Sequence, residues 1–184
     1  MLALSALAGC TPQAALVSAL LPDGTLSALL SHLGREEDEN RRKVVELEGR
    51  GDWDGLAKFA EGHLAKERRN ADWWFVAGYA HSQAGRHLRA IECYDELLRL
   101  APDDMLVWSL LGQAYRDSRQ PQRAVQALNN ALLVRSDNPQ IWFVLGNAYG
   151  DLGRTADFDR SLKTLEKLDR GLAAELAKHR PAVR

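Results

Sequence analysis

Apolar residues between positions 71 and 172 repeat on two scales. Within each short segment they fall three or four residues apart, which is the pattern of one face of an α-helix. On the longer scale, three aligned positions return every 34 residues: Trp74, Trp108 and Trp142; Gly78, Gly112 and Gly146; and His81, Tyr115 and Tyr149. A constant interval of this length predicts stacked helix pairs, each of which buries its apolar face against its neighbours.

The frame can be numbered from 1 to 34, starting at Ala71, Met105 and Pro139. It places a glycine at position 8 of every first helix, where we expect the two helices of a pair to approach closely. A small residue at position 20, Ala90 or Ala124, is expected opposite this glycine. The tryptophan at position 4 lies one helical turn earlier and is expected to fill the space beside the small residues.

The residues between the helices agree with this frame. Gly85 and Gly153 occupy position 15, where a left-handed residue should end the first helix. Arg119 stands there in the middle repeat, and Pro121, a residue favoured in the first turn of a helix, follows it. Either Asp103 or Asp104, and likewise Asn138, is suited to capping the first helix of the next repeat.

The motif Trp-x-x-Leu-Gly-x-x-Tyr stands intact at 108–115 and at 142–149, and Ala90, Tyr94 and Pro102 fill further positions of the same pattern. These residues closely resemble the tetratricopeptide repeat family. The resemblance implies an all-α fold, an α-α superhelix, with three clear repeats at 71–104, 105–138 and 139–172.

A degenerate repeat is predicted at 37–70, where Asn40 and Val44 replace the tryptophan and glycine. Residues 172–179 are predicted to form a polar capping helix with Leu172 and Leu176 facing inward. Phe158 replaces the small residue at position 20 of the last repeat, so this pair should pack wider, or Phe158 should meet the capping helix. The repeat domain is therefore expected to span residues 37–184.

The amino-terminal region has a different composition, because Asp23 is the single charged side chain among residues 1–34. The segment Leu7-Ala8-Gly9-Cys10 resembles a bacterial lipobox, which implies a signal segment at 1–9 and an acylated Cys10. Thr11 after the cysteine then implies sorting to the outer membrane, facing the periplasm. No Lys or Arg precedes the apolar stretch, so the alternative is an apolar terminus of a cytoplasmic protein. Residues 10–36 are predicted to form two short apolar helices, at 14–21 and 26–33, that cover the first repeat or dock on a partner or lipid.

The remaining composition argues against several functions. The formal net charge of −1 gives no basic excess, so we do not expect a nucleic-acid partner. No His or Cys has metal-ligand spacing on a helix, and the chain has neither a phosphate-binding glycine loop nor a nucleophile elbow. We therefore expect no enzymatic activity, no cofactor, no metal and no small-molecule substrate. His81, which stands where the family has tyrosine, is interpreted as a packed helix residue.

The resemblance also implies a binding surface. In this family the first helices line a concave groove through positions that include 5, 9 and 12. The residues implied for a peptide-binding groove are Arg41, Val45, Phe75, Tyr79, Ser109, Gln113, Arg116, Phe143 and Asn147. The Lys, Asn and Arg clamp of chaperone-binding relatives is absent, since Phe75, Tyr79 and Ser109 stand where clamp residues are needed. A protein or peptide ligand with apolar anchors is expected instead.

These expectations together predict a non-catalytic scaffold for protein–protein interaction. The leading hypothesis is an envelope-anchored lipoprotein that assists assembly of a multiprotein complex. The alternative is a cytoplasmic adaptor, similar to a co-chaperone, without a lipid anchor.

Overall fold

The computed structural model describes residues 37–181, which form nine α-helices and no strand. The helices are α1 (Glu37–Gly49), α2 (Trp53–Leu64), α3 (Ala71–Gln83), α4 (His87–Leu100), α5 (Met105–Asp117), α6 (Pro121–Val134), α7 (Pro139–Asp151), α8 (Thr155–Leu168) and α9 (Arg170–Ala177). The predicted all-α class is confirmed. The helices α1/α2, α3/α4, α5/α6 and α7/α8 form four pairs, hereafter repeats 1 to 4. Within residues 37–181, no helix combines the length and hydropathy needed to cross a membrane.

Polar caps begin the first helices of repeats 2, 3 and 4. Asn70, Asp104 and Asn138 each accept hydrogen bonds from the second and third backbone N–H groups of the helix that follows. The shorter bond of each cap measures 3.1, 2.9 and 2.9 Å, respectively. These bonds satisfy N–H groups that have no partner inside the helix, and each such cap contributes about 1 kcal/mol.

The three repeated tryptophans lie in similar surroundings. We expect them to fill space beside the small residues, but the structure shows that they also make a hydrogen bond. Each indole Nε1–H donates to the carbonyl oxygen six residues earlier, in the linker that enters the helix. The acceptors are Arg68, Pro102 and Ser136, at 2.8, 2.7 and 2.8 Å. The tryptophan therefore fastens the linker between two repeats to the helix that begins the next one.

The glycine at position 8 faces the residue at position 24, rather than the small residue at position 20 that we expected. A Cβ on Gly112 would lie 2.6 Å from Cγ of Leu128, and one on Gly78 would lie 2.6 Å from Cε1 of Tyr94. In repeat 4 the partner is Leu176 of α9, with a distance of 2.5 Å to its Cδ2. A large side chain thus fills the space beside each of these three glycines, and in repeats 2 and 3 that side chain comes from position 24.

Two residues after the end of each of the four first helices, at position 15, stands a residue of positive φ. Gly51, Gly85 and Gly153 have φ of 66°, 73° and 67°, and Arg119 has φ of 61°. The left-handed conformation costs a non-glycine residue about 1–2 kcal/mol. Arg119 adopts it nonetheless, because the packing of α5 against α6 fixes the turn whatever residue stands there.

Phe158 of α8 is fully buried and packs in one apolar cluster with Ala173 and Leu176 of α9. It therefore meets the capping helix, which is one of the two outcomes we expected. The opposite face of α9 is polar, since Glu175 and Lys178 are exposed and form an ion pair.

The other end of the described array is also charged. Positions 3, 7 and 10 of α3 are Trp73, Ala77 and Ala80, which are buried. Trp73 stacks on His63 of the preceding α2, with 4.0 Å between ring centroids. In α1 the same positions carry Glu39, Lys43 and Glu46, which are exposed or half-buried. Glu46 forms ion pairs with Lys43 and Arg50. These three positions of α1 therefore present charged side chains, where α3 presents apolar ones.

Candidate peptide-binding groove

The first helices α1, α3, α5 and α7 share one face of the array, and specific contacts join neighbouring members. The Tyr79 hydroxyl of α3 donates to the Glu48 carboxylate of α1. Further along, Nε of Arg116 on α5 donates to Oδ2 of Asp151 on α7, at 2.7 Å. These contacts hold the first helices side by side, as the walls and floor of a groove require.

The structure buries six of the nine residues that we expected to line this groove. Phe75, Tyr79 and Phe143 are 9%, 7% and 5% exposed, and the polar side chains Ser109, Gln113 and Asn147 are 1%, 2% and 4% exposed. Val45 is 43% exposed, and Arg41 and Arg116 are half-buried. Positions 5 and 9 are therefore covered in repeats 2 to 4, whereas Arg41 and Val45 at the same positions of repeat 1 are half-buried and exposed. Ligand contact by any of the nine residues stays a prediction.

Tyr79 belongs to the packed floor. Its ring meets the edge of Trp53 on α2, with 5.9 Å between centroids. Burial, reinforced by the charge and hydrogen bond of Glu48, raises the pKa of Tyr79 to about 12. The phenol therefore stays protonated at neutral pH and ties α3 to both helices of repeat 1.

The buried polar residues also make internal bonds. Ser109 Oγ donates to the Met105 carbonyl at 2.8 Å, and Gln113 Nε2 donates to Oδ1 of Asp117 at 2.8 Å. Asn147 Nδ2 donates to the Phe143 carbonyl at 3.0 Å, and its Oδ1 lies 2.9 Å from His179 Nδ1. These side chains stabilise the helices that carry them, so they are less available to a ligand than we expected.

His179 was not identified from the sequence. It follows α9, and the turn after that helix brings its ring to Asn147 at the end of the groove. The signal was weak, because His179 lies beyond the last repeat and has no counterpart at an aligned position. The groove wall therefore extends past repeat 4 onto the capping segment.

The partly accessible residues form a rim at positions 2, 12 and 13 of the first helices. In repeats 2 to 4 its side chains are those of Asp72, Ser82, Gln83, Leu106, Arg116, Asp117, Gln140 and Asp151. Arg116 is held by Asp151, and their side chains are 25% and 42% exposed. Three of the rim residues are carboxylates and one is a cation, so the rim is acidic. A ligand that reaches this face would meet the rim before the packed floor.

Two further observations concern metal binding and thiol chemistry in the described residues. Among residues 37–181, no group of three or more His, Cys, Asp or Glu side chains could hold a metal ion. Cys93 is buried, and desolvation, followed by the charges of Glu61 and Glu92, raises the pKa of its thiol to about 12. A thiol that stays protonated at neutral pH is a poor nucleophile.

Solved structures of similar fold provide independent comparisons. The MamA protein has a TM-score of 0.65 at 18% identity, covering 74% of this chain and 83% of that chain. A protein of Thermus thermophilus, TTC0263, is described as a thermophilic TPR protein; its TM-score is 0.59 at 21% identity, covering 74% and 79%. The second TPR domain of human RPAP3, solved with an HSP70 peptide, has a TM-score of 0.53 at 23% identity, covering 57% and 90%. These likenesses confirm the predicted superhelical fold.

Sequence comparison gives the family. No curated protein matches this chain in sequence. The profile described as tetratricopeptide repeat matches residues 46–171, which is more than half of the chain. The chain therefore belongs to the tetratricopeptide repeat family.

Proposed function

We propose that this chain is a non-catalytic scaffold that binds a polypeptide segment along the groove formed by α1, α3, α5 and α7. The observation that carries the proposal is the continuous face of four first helices with a partly exposed rim above a packed floor. Repeat arrays of this kind present extended surfaces rather than closed pockets, which suits an elongated ligand. The RPAP3 domain, solved with a bound peptide, supports this use of the fold.

The rim favours a ligand with basic side chains. The carboxylates of Asp72 and Asp117 are partly exposed, and the only cation of the described rim, Arg116, is already paired. Apolar anchoring is limited to Val45 and Leu106, since Phe75 and Tyr79 are buried. We therefore do not expect binding of an acidic chaperone tail such as the HSP70 peptide in the RPAP3 structure.

Adding positive charge to the rim tests the groove. We expect the double variant Asp72→Arg/Gln140→Arg to bind the native partner at least about tenfold more weakly, because unfavourable charge contacts cost more than about 1.4 kcal/mol. Affinity capture from the native cell identifies the partner, and titration with that purified partner gives the dissociation constant.

The matched control places the same charges on second helices. Gln126 of α6 and Glu166 of α8 are exposed and lie away from the first helices. Gln126→Arg/Glu166→Arg should leave the affinity unchanged. Equal affinity of the groove variant and the wild type for every captured partner would reject this surface.

We further propose that the scaffold is an envelope lipoprotein, anchored through an acylated Cys10 to the outer membrane and facing the periplasm, where it assists assembly of a multiprotein complex. Residues 1–36, including the signal segment, Cys10 and the two apolar stretches, lie outside the described residues. The segment Leu7-Ala8-Gly9-Cys10, which resembles a lipobox, supports the proposal. The alternative remains a cytoplasmic adaptor without lipid.

The two cysteines allow a matched test of the anchor. Cys10→Ser should move the protein from the membrane fraction to the soluble fraction and abolish incorporation of labelled palmitate. Cys93→Ala should leave both properties unchanged, because Cys93 is buried in the array. Recovery of the unsubstituted protein in the soluble fraction, without label, would favour the cytoplasmic adaptor.

A further inference from the structure

A buried histidine joins repeat 1 to repeat 2. The His81 side chain, on α3, is 8% exposed, and both ring nitrogens make hydrogen bonds to neighbouring elements. Nε2 lies 3.0 Å from Oε1 of Glu61 on α2, and Nδ1 accepts from Nε of Arg86 at 2.9 Å. Arg86 precedes α4 and also pairs with Asp54 of α2. We call this set, Asp54, Glu61, His81 and Arg86, the His81 junction.

The bonding pattern fixes the protonation state. A guanidinium nitrogen can only donate, so Nδ1 of His81 must be the acceptor and the ring hydrogen must lie on Nε2, which donates to Glu61. A second proton would go to Nδ1, where it would remove the acceptor of the Arg86 bond and point an N–H at the guanidinium. The neutral ring satisfies both bonds and the protonated ring satisfies only one.

The groups around His81 shift its pKa in opposite directions. Burial lowers the pKa of His81 below its ordinary value of 6.5, and the guanidinium groups of Arg86 and Arg89 lower it further. The Glu61 carboxylate opposes this through its hydrogen bond and its charge, but the net direction of the pKa shift is downward. Glu92 and Cys93 of α4 line the same cleft beside His81. Glu92 is paired with Arg89, and the thiol of Cys93 stays protonated.

A second imidazole lies at the same contact between repeats. His63 of α2 stacks on Trp73 of α3, and Phe59 of α2 packs edge-on against both rings. Burial, followed by the charge of Lys66, lowers the pKa of His63. In repeats 3 and 4 the position of His81 is occupied by Tyr115 and Tyr149, so an imidazole stands at this position only in repeat 2 among repeats 2 to 4.

We propose that the contact between repeats 1 and 2 is an acid-sensitive joint, in which protonation of His81 loosens α1 and α2 from the rest of the array. Above pH 6.5 the ring is neutral in both the closed and the open state, so the contact has its full stability. As the pH falls below 6.5, the open state takes up the proton first, and the contact weakens until the closed state is protonated as well.

The joint would control one end of the groove, a consequence that rests on the proposed function. Glu48 of α1 and Trp53 of α2 meet Tyr79 only while repeat 1 is stacked on α3. Opening the joint would separate these residues from Tyr79. The ligand would then be released from this end of the groove at acidic pH.

Hydrogen exchange on the full chain tests the joint without a ligand. Exchange at pH 7.5, 6.5 and 5.5, corrected for the intrinsic rate, gives the opening equilibrium of α1 and α2 relative to α5. We expect this ratio to rise severalfold between pH 7.5 and 5.5, with a ceiling of about tenfold for the single ionisation of His81. His81→Gln should remove most of the rise, since glutamine does not titrate.

Two further variants keep the test decisive. His81→Tyr places at the joint the residue type of repeats 3 and 4, and a cleft of about 640 Å³ beside His81 gives the ring room. This variant replaces His81→Gln in the test if the glutamine loosens repeat 1 at every pH. His179→Gln, at the other end of the array, should leave the response of repeat 1 unchanged. The joint would be refuted by an opening ratio that does not change with pH, or by the same pH course in wild type and in both His81 variants. Neither result would bear on the rim charges, which the binding experiment tests separately.

Discussion

Replacement of Gly112 by valine should lower the free energy of unfolding by about 3 kcal/mol, because it forces a branched side chain into a filled notch. A Cβ at this position would lie 2.6 Å from Cγ and 2.8 Å from Cδ2 of Leu128. Leu128 is fully buried, so it cannot move aside without displacing the core between α5 and α6. The loss should appear as a lower midpoint of urea unfolding, followed by circular dichroism.

Gly62→Val is the matched control for this prediction. Gly62 lies inside α2, and a Cβ there would meet nothing within 4 Å. The same change should therefore alter stability by less than about 0.5 kcal/mol, since the helix propensities of glycine and valine differ little. Equal stability of the two variants would show that the notch at Gly112 is not tightly filled.

Phe158→Ala should cost about 3–5 kcal/mol, the usual loss when a fully buried phenylalanine is truncated and a cavity remains. Phe158 is 0% exposed and packs with Ala173 and Leu176, so its removal weakens α7, α8 and α9 together. Because each repeat contacts only its neighbours, the loss should be concentrated at this end of the array. Hydrogen exchange should show a larger loss of protection in α8 and α9 than in α3 and α4.

The conservative variant Phe158→Leu tests whether the buried volume of this side chain, rather than its aromatic ring, accounts for the loss of stability. It retains most of the buried volume and should cost less than about 1.5 kcal/mol. A loss of protection spread evenly over all helices in Phe158→Ala would contradict the local role of this residue.

The fold was predictable because its signal recurs. Three aligned tryptophans and glycines, 34 residues apart, identify the repeat even where single positions depart from the pattern. The hydrogen bonds of the tryptophans were not predictable from the sequence. Each indole donates to a backbone carbonyl, and because every residue has one, no residue type marks the acceptor. The positive φ of Arg119 is not indicated by its residue type, but it follows the left-handed glycines at the same position of the other repeats.

The site was less predictable than the fold. Alignment with the repeat frame places Phe75, Gln113 and Asn147 on the first helices, but it does not give the distance between neighbouring first helices. That distance decides whether positions 5 and 9 are open or covered, and it results from packing summed over the whole array. The His81 junction was missed for a related reason, because its members come from α2, α3 and the start of α4 and meet only in three dimensions.

The charged faces of α1 and α9 also bear on how copies of this protein behave when concentrated. An array of identical repeats offers each end a surface that fits the opposite end of another molecule, and such head-to-tail contacts propagate without limit. Glu39 and Lys43 at one end, and Glu175 and Lys178 at the other, would have to lose their hydration to form that contact. These side chains therefore disfavour head-to-tail contact through the described faces of α1 and α9.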